Sequence, residues 1–462
     1  MKRPKGKGRS WERGQPGFDA RVLGTSFNGR DPGHRPEILV EANDVSDVQR
    51  ALAIARDRGL QVSICSGGHS WAQNHLRDGG VLLSMARINQ IEIDAAAGLA
   101  RVGPGCWSAD LDRALRPHKL FFPVAHAADV AMGGFLLQGG FGWASRELGI
   151  ATESVVGLDL VLADGTELHA SATENAELFW AARGSGPGFF AVVVCYHLKL
   201  HPRFKFFGLV MQVFRRKHLE DVYRWAADVG PDVPRSIEFQ MLLTRKATGI
   251  YKPGIEVIAP VLTDSRKQAR EDLRFVTESP LRSKASFTTP LVPVNAGLLS
   301  RLASFTLFPP DVRWSADNMW TNASVDDLLP GIEHIADTMP PAPSHSLWMN
   351  WYPTKGRPDM AYSLEGNCYM AVYGEWKNPA DDRRYENWAG DCMEKLSEHA
   401  IGMQLADENL GRRPARFMKD ENLRRLDELR EKYDGEQRFH SWMGRPFPAK
   451  PKHHMPDRPA DA

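Results

Sequence analysis

The chain has 462 residues, 42% hydrophobic and 25% charged, with a formal net charge of +1. This composition supports a large core and about two to three domains. It offers no whole-chain case for nucleic acid binding, and no run approaches the roughly 18 apolar residues that a membrane helix needs. The five cysteines, Cys65, Cys106, Cys195, Cys368 and Cys392, are scattered and include no Cys-x-x-Cys pair. No metal site is therefore expected, and such sparse thiols fit a reducing, cytoplasmic setting.

Residues 1–33 read as an N-terminal extension. Its first ten residues are basic but lead into no apolar run, which does not read as a secretory signal. The stretch is expected to be poorly ordered apart from a docking segment near Phe18 to Phe27. Regular patterning starts at Glu37. Ile38 to Val40 reads as a strand, and Asp44 to Arg58 as a helix with Val45, Val48, Leu52 and Ala53 on one face. Gly59 is a plausible helix stop, and Gln61 to Ile64 is the next strand. Strands follow at Val81–Met85, Ile91–Asp94 and Ala100–Val102, then a helix at Ser108–Leu115. A hairpin turns at Asp164-Gly165 between Leu158–Ala163 and Glu167–Ala170. Phe190 to Leu200 is a long apolar strand. After Pro202 strands are expected at Phe206–Phe214, Ile237–Leu243, Gly254–Val261, Leu347–Tyr352 and Tyr369–Trp376. Helices are expected around His218–Val229, Arg266–Val276 and Arg383–His399. Residues 447–462 read as a disordered tail.

The chemistry concentrates in two glycine clusters. Cys65-Ser-Gly-Gly-His-Ser follows an apolar strand, and about seventy residues later come Gly133, Gly134, Gly139, Gly140 and Gly142. Small residues let backbone N–H groups approach an anion without a Cβ in the way. A histidine within the first loop adds a reactive ring nitrogen. The pair suggests a cofactor with both a pyrophosphate and a reactive ring. No Gly-x-Gly-x-x-Gly opens a helix after the first strand, and no Gly-Lys-Ser/Thr follows the glycines. The usual dinucleotide fingerprint and the P-loop are both excluded.

Five stretches keep one order and spacing. They are Arg35-Pro-Glu-Ile-Leu-Val, Ser66-Gly-Gly-His-Ser-Trp, Gly133-Gly-Phe-Leu-Leu-Gln-Gly-Gly-Phe-Gly-Trp, Leu158-Asp-Leu-Val-Leu-Ala-Asp-Gly and Glu177-Leu-Phe-Trp-Ala-Ala-Arg-Gly-Ser-Gly. In them the sequence resembles the vanillyl-alcohol-oxidase (PCMH-type) flavoproteins, and among those the berberine-bridge-enzyme-like oxidases. The resemblance is strong over residues 34–204 and looser over 360–446. It implies an α+β fold: a PCMH-type FAD-binding domain of two α+β subdomains at 34–204, and a substrate domain at 205–400 whose antiparallel sheet is covered by helices. A closing element at 401–446 then returns to the FAD domain.

The resemblance assigns FAD contacts to Ser66, Gly67, Gly68, His69, Ser70, Gly133, Gly134, Gly139, Gly140 and Gly142. It further implies a covalent flavin carried by a ring nitrogen of His69. Ala127 stands where many relatives have a second, cysteinyl tether, so no second bond is expected. Val130 falls near the reacting edge of the flavin, where a small side chain goes with access for dioxygen; as a bare residue it is equally a packing valine. Val192 and Val193 match the segment near the adenine, and Glu153 stands where relatives often have Asp.

Oxidation needs a base for the substrate proton. The candidates are Tyr373, Glu375 and Tyr362, with Asp407 behind them. Alternation over Tyr369–Trp376 puts Tyr369, Ala371, Tyr373 and Glu375 on one face. Gln404 stands where related bacterial chains often carry an active-site tyrosine. The expected activity is FAD-dependent oxidation of an alcohol, sugar or ring carbon of a small molecule, with O2 as acceptor and neither nucleic acid nor membrane as partner. Two alternatives stay open: a hydroxy-acid-type dehydrogenase with non-covalent FAD and another acceptor, and a flavin-binding protein without turnover.

Overall fold

The computed structural model describes residues 8–309 and 312–445. The tail expected at 447–462 and the first seven residues of the N-terminal stretch lie outside them. Three large sheets, with a two-stranded pairing of Leu120–Phe121 and His201–Pro202, organise the chain. In the first, Ile38–Glu41 and Val62–Cys65 flank Val81–Ser84 in parallel. The helix Val45–Asp57 connects two of these strands. Asp44 caps it by accepting from the Asp47 N–H, and Val48, Ala51, Leu52 and Ala55 are buried. Gly59 beyond it adopts φ +64°, the left-handed stop that only glycine takes freely.

The N-terminal stretch departs from expectation. Arg9–Glu12 forms a fourth, antiparallel strand against Ile38–Glu41, with Trp11 opposite Leu39. The open edge of a three-stranded sheet presents unpaired N–H and C=O groups, and this segment pairs with them although its composition reads as a tail.

The second sheet is antiparallel, in the order Ile91–Asp94, Leu99–Val102, Val192–Lys199, Val155–Val161, Glu167–Ser171. The third has nine strands. Its path runs Phe287–Thr288, Phe206–Arg215, Gly254–Thr263, Gln240–Thr244, His345–Asn350, Cys368–Trp376, Arg313–Thr321, Ala400–Gly402, with Val292–Pro293 beside Phe206–Arg215. The helices Leu219–Val229, Val325–Thr338 and Trp388–Lys395 cover one face, where Val222, Leu328, Ile332 and Cys392 share a core with Val257, Met319, Met370 and Val372. The opposite face presents Trp320, Met349, Tyr369 and Tyr373, which pack with Trp71 and Tyr362. This is the expected α+β arrangement.

The strand Arg313–Thr321 and the helices Ala296–Thr306 and Val325–Thr338 were not legible in the sequence. Asp317 and Asn318 sit in the middle of that strand and spoil its apolar pattern. Both are fully buried, and Arg413 grips the Asp317 carboxylate through Nε at 2.9 Å and Nη2 at 2.6 Å. A buried charge persists only when paired in this way. The helix expected over Arg383–His399 is instead two, Asp382–Tyr385 and Trp388–Lys395.

Two buried charges lock the early sheets to the nine-stranded one. Glu238 accepts from the Ala144 N–H at 2.7 Å and contacts Nε2 of His126 at 2.7 Å. Arg146 donates to the carbonyls of Val233, Pro234, Ile237 and Trp351. The helix Asp420–Asp434 then brings the chain back to the first sheet, where Phe439 bridges Val62.

Candidate active site

A cavity of 600 Å³ opens between the glycine loops and the uncovered face of the nine-stranded sheet. Ser66, Gly67, Gly68, His69 and Ser70 line it immediately after the strand Val62–Cys65. Gly68 takes φ +72°, and a Cβ there would run into the Thr25 carbonyl. The second loop region adds Ala127, Val130, Ala131, Gly133, Gly134 and Gly140 to the lining. A Cβ on Gly133 would strike the Ser66 side chain, so this glycine lets the two loops touch. Gly134 is different: a Cβ there would meet nothing within 4 Å, because its Cα faces the cavity. Val130 is held by its carbonyl, which accepts from both the N–H and the hydroxyl of Ser108.

His69 stacks on Phe27 with ring centroids 4.1 Å apart and planes within 7°. Its Nε2 lies 3.6 Å from Oδ1 of Asp129. That contact holds the Asp129 carboxyl below its ordinary range. Asp129 escaped the sequence reading, because only the fold brings residues 69 and 129 together.

Several expected contacts stand elsewhere. Gly139 and Gly142 are not on the cavity wall: a Cβ on Gly139 would press on the Tyr362 ring, and one on Gly142 on the Val124 carbonyl. Val193 lines the cavity, whereas Val192 is fully buried in the core. Glu153 accepts from the Ile150 N–H and pairs with Arg357. It therefore joins the chain's two halves rather than the wall.

The candidate bases also separate. The strand Cys368–Trp376 does turn Tyr373 and Glu375 to one face, but only Tyr373 reaches the cavity. Glu375 lies behind His345, its Oε1 3.3 Å from Nδ1 of that ring. Burial, opposed by His345, pushes its carboxyl up to about 7. Tyr362 packs behind Gly139, off the wall. Desolvation, then Glu365, holds its phenol well above the ordinary range.

What the wall carries instead is a carboxylate served by three donors. Oδ2 of Asp407 accepts from the hydroxyls of Tyr373, at 2.8 Å, and Tyr369. Oδ1 accepts from the indole N–H of Trp71 at 2.5 Å. Desolvation first, and then the Asp407 charge, hold both phenols well above their ordinary value. They stay protonated while Asp407 is the acceptor. Gln404 also lines the cavity, its backbone tied to Asn318. Tyr369 and Trp71 were missed as site residues, although strand alternation had already put Tyr369 beside Tyr373.

Comparison with known proteins supplies the cofactor. Residues 36–171 match an FAD binding domain family. The FAD-linked oxidoreductase nodO of Hypoxylon pulicicidum is 30% identical over 431 residues, covering 89% of this chain and 92% of that protein. The structure of 6-hydroxy-D-nicotine oxidase from Arthrobacter nicotinovorans superposes with a TM-score of 0.82 at 22% identity, covering 95% of this chain and 98% of that one. BBE-like 1 of Physcomitrella patens gives 0.81 at 19%, covering 96% and 97%. At these identities the structural likeness is one of fold.

The residues present fit an FAD. The two loops meet through glycine and alanine, and the open face of Gly134 leaves space that any side chain would fill. No helix among the described residues is long and apolar enough to cross a membrane. The chain, with the fold of the PCMH-type, berberine-bridge-enzyme-like flavoproteins, belongs to the FAD-linked oxidoreductases and is an FAD-dependent oxidoreductase.

Proposed function

We propose that the protein oxidises an alcohol, sugar or ring carbon of a small molecule, with FAD bonded through His69 alone and O2 as the final acceptor. FAD, when bound, supplies the two-electron acceptor. Ser66 to Ser70, Val130, Gly133, Gly134, Gly140 and Val193 would hold it. The division into an FAD domain at 34–204, a substrate domain at 205–400 and a closing element at 401–446 is part of this reading.

The observation that carries it is the Asp407 carboxylate, bonded to two phenols at the wall of the same cavity that His69 lines. A substrate O–H or N–H set against Tyr373 passes its proton to the phenol oxygen as the phenol hydrogen moves to Asp407. Tyr369 and Trp71 keep the carboxylate aimed and balance the charge it holds in an apolar wall. A flavin carrier without turnover has no use for such an acceptor. His345, with its ring 4.8 Å from that of Tyr373, and Phe308 and Trp320 shape the rest of the wall. A flat or cyclic substrate suits it.

Support for a single tether comes from Ala127, which lines the cavity without a thiol. Cys106 is fully buried, and burial pushes its thiol up to about 12. Support for O2 comes from the small side chain of Val130 on the wall. The test is an anaerobic panel of alcohols, sugars and phenols added to the yellow protein. Bleaching of the flavin by one of them, and recovery of colour on admitting air, is expected. Bleaching reversed only by an artificial acceptor would replace the oxidase with a dehydrogenase.

A further inference from the structure

We propose that Asp159, Cys195 and His197, with His169 as fourth donor, form a zinc(II) site on the outer face of the five-stranded antiparallel sheet. None of the four lines the flavin cavity. The residues come from three neighbouring strands. Cys195 stands opposite Asp159 on one side, and His169 stands opposite it on the other. Oδ1 of Asp159 lies 2.8 Å from Nδ1 of His169 and 3.0 Å from Nε2 of His197. The donor atoms of Asp159, Cys195 and His197 all lie within 4.8 Å of one another. Ligand atoms around a tetrahedral zinc are about 3.3 to 3.8 Å apart, so small side-chain adjustments close the site.

A β-bulge makes this possible. The strand Val192–Lys199 slips register between Val193 and Cys195. An extra residue reverses the alternation. Val193 and Tyr196 consequently face the cavity, while Cys195 and His197 join Asp159 on the opposite face. A carboxylate hydrogen-bonded to one histidine is ordinary. Here two imidazoles converge on one carboxylate oxygen, and a bulge brings a thiol to the same spot. Thiolate with imidazole selects zinc-like ions over calcium or magnesium.

Charge also balances. The thiol loses its proton to solvent on binding, and Cys195 and Asp159 as anions neutralise a divalent ion between two neutral imidazoles. Arg101 reaches Oδ2 of Asp159 at 3.4 Å, but it also holds Glu92 at 3.3 Å and its side chain is 54% exposed. It can swing to Glu92 and release the carboxylate. No motif announces the site, because its members are joined by sheet register and not by local spacing. A bound ion would clamp three strands, one of which carries two residues of the cavity wall.

Cobalt(II) and zinc(II) titrations of the chelator-treated holoprotein test this. Cobalt should give the thiolate charge-transfer and tetrahedral ligand-field bands, the latter at wavelengths beyond flavin absorption. Cys195→Ser should abolish the charge-transfer band and weaken zinc by more than about 100-fold, beyond what losing an outer partner costs. His197→Gln should weaken it as well. Both variants keep the chain's other histidines, including His453 and His454, so adventitious binding there survives and is recognised. Zinc should raise the melting temperature of wild type but not of the variants. A wild-type spectrum without a thiolate band, or zinc affinity unchanged in both variants, would overturn the proposal. If Cys195→Ser fails to fold, His197→Gln decides it.

Discussion

The phenol of Tyr373 donates to Oδ2 of Asp407 across 2.8 Å, from the middle of the strand Cys368–Trp376 to a short turn more than thirty residues later. Tyr369, two places away on the same strand face, bonds to the same oxygen. One carboxylate therefore collects two phenols and, through its other oxygen, the Trp71 indole from the first glycine loop. Elements from both halves of the chain meet at this one group.

If Tyr373 and Asp407 act as a relay, Asp407→Asn and Tyr373→Phe should each slow anaerobic flavin reduction by about 10²-fold or more, the range for losing general base catalysis. The double variant should be no slower than the worse single, because both remove one pathway. Stopped-flow bleaching with any turned-over substrate measures this. Wild-type rates in Asp407→Asn would strike it from the mechanism.

Gly134→Val fills the space that the open Cα face leaves in the cavity. The variant should fold, by circular dichroism, but purify with little or no yellow colour. Full flavin content in that variant would mean that the cofactor does not lie against Gly134.

Glu375 offers a pH test. Its folded-state value, about 7, lies above the ordinary 4.5 because burial disfavours the charged form. A group raised in this way adds stability that is complete below 4.5 and is lost as pH rises through about 7. Over that window Glu375 should withdraw about 3 kcal/mol, by the general conversion of pKa shift into free energy. Glu375→Gln keeps the shape, leaves His345 in place and removes the titration. Its melting temperature should fall less than that of wild type over the same window. Parallel curves would show that Glu375 already has a stabilising partner when charged.

Most of the frame was legible because its signals are local. The helix after Asp44, the Gly59 stop and the Asp164-Gly165 turn each rest on a few adjacent residues. The glycine loops were legible too, since a close approach needs glycine wherever it occurs. The pairing of Arg9–Glu12 depends on a sheet edge assembled elsewhere, and the strand through Asp317 and Asn318 depends on Arg413, almost a hundred residues away. The base could not be chosen for the same reason. Alternation put Tyr373 and Glu375 on one face correctly, but His345 on the neighbouring strand stands between Glu375 and the cavity. Asp407 became the leading acceptor only once its turn was seen against that strand.

The proposed function makes His69 the single point of attachment for the flavin. Wild-type protein run on a denaturing gel should give a fluorescent band at the mass of the chain. His69→Ala should give none, while acid should release its FAD intact. A band of equal fluorescence in the His69→Ala variant, or none in wild type, would contradict it.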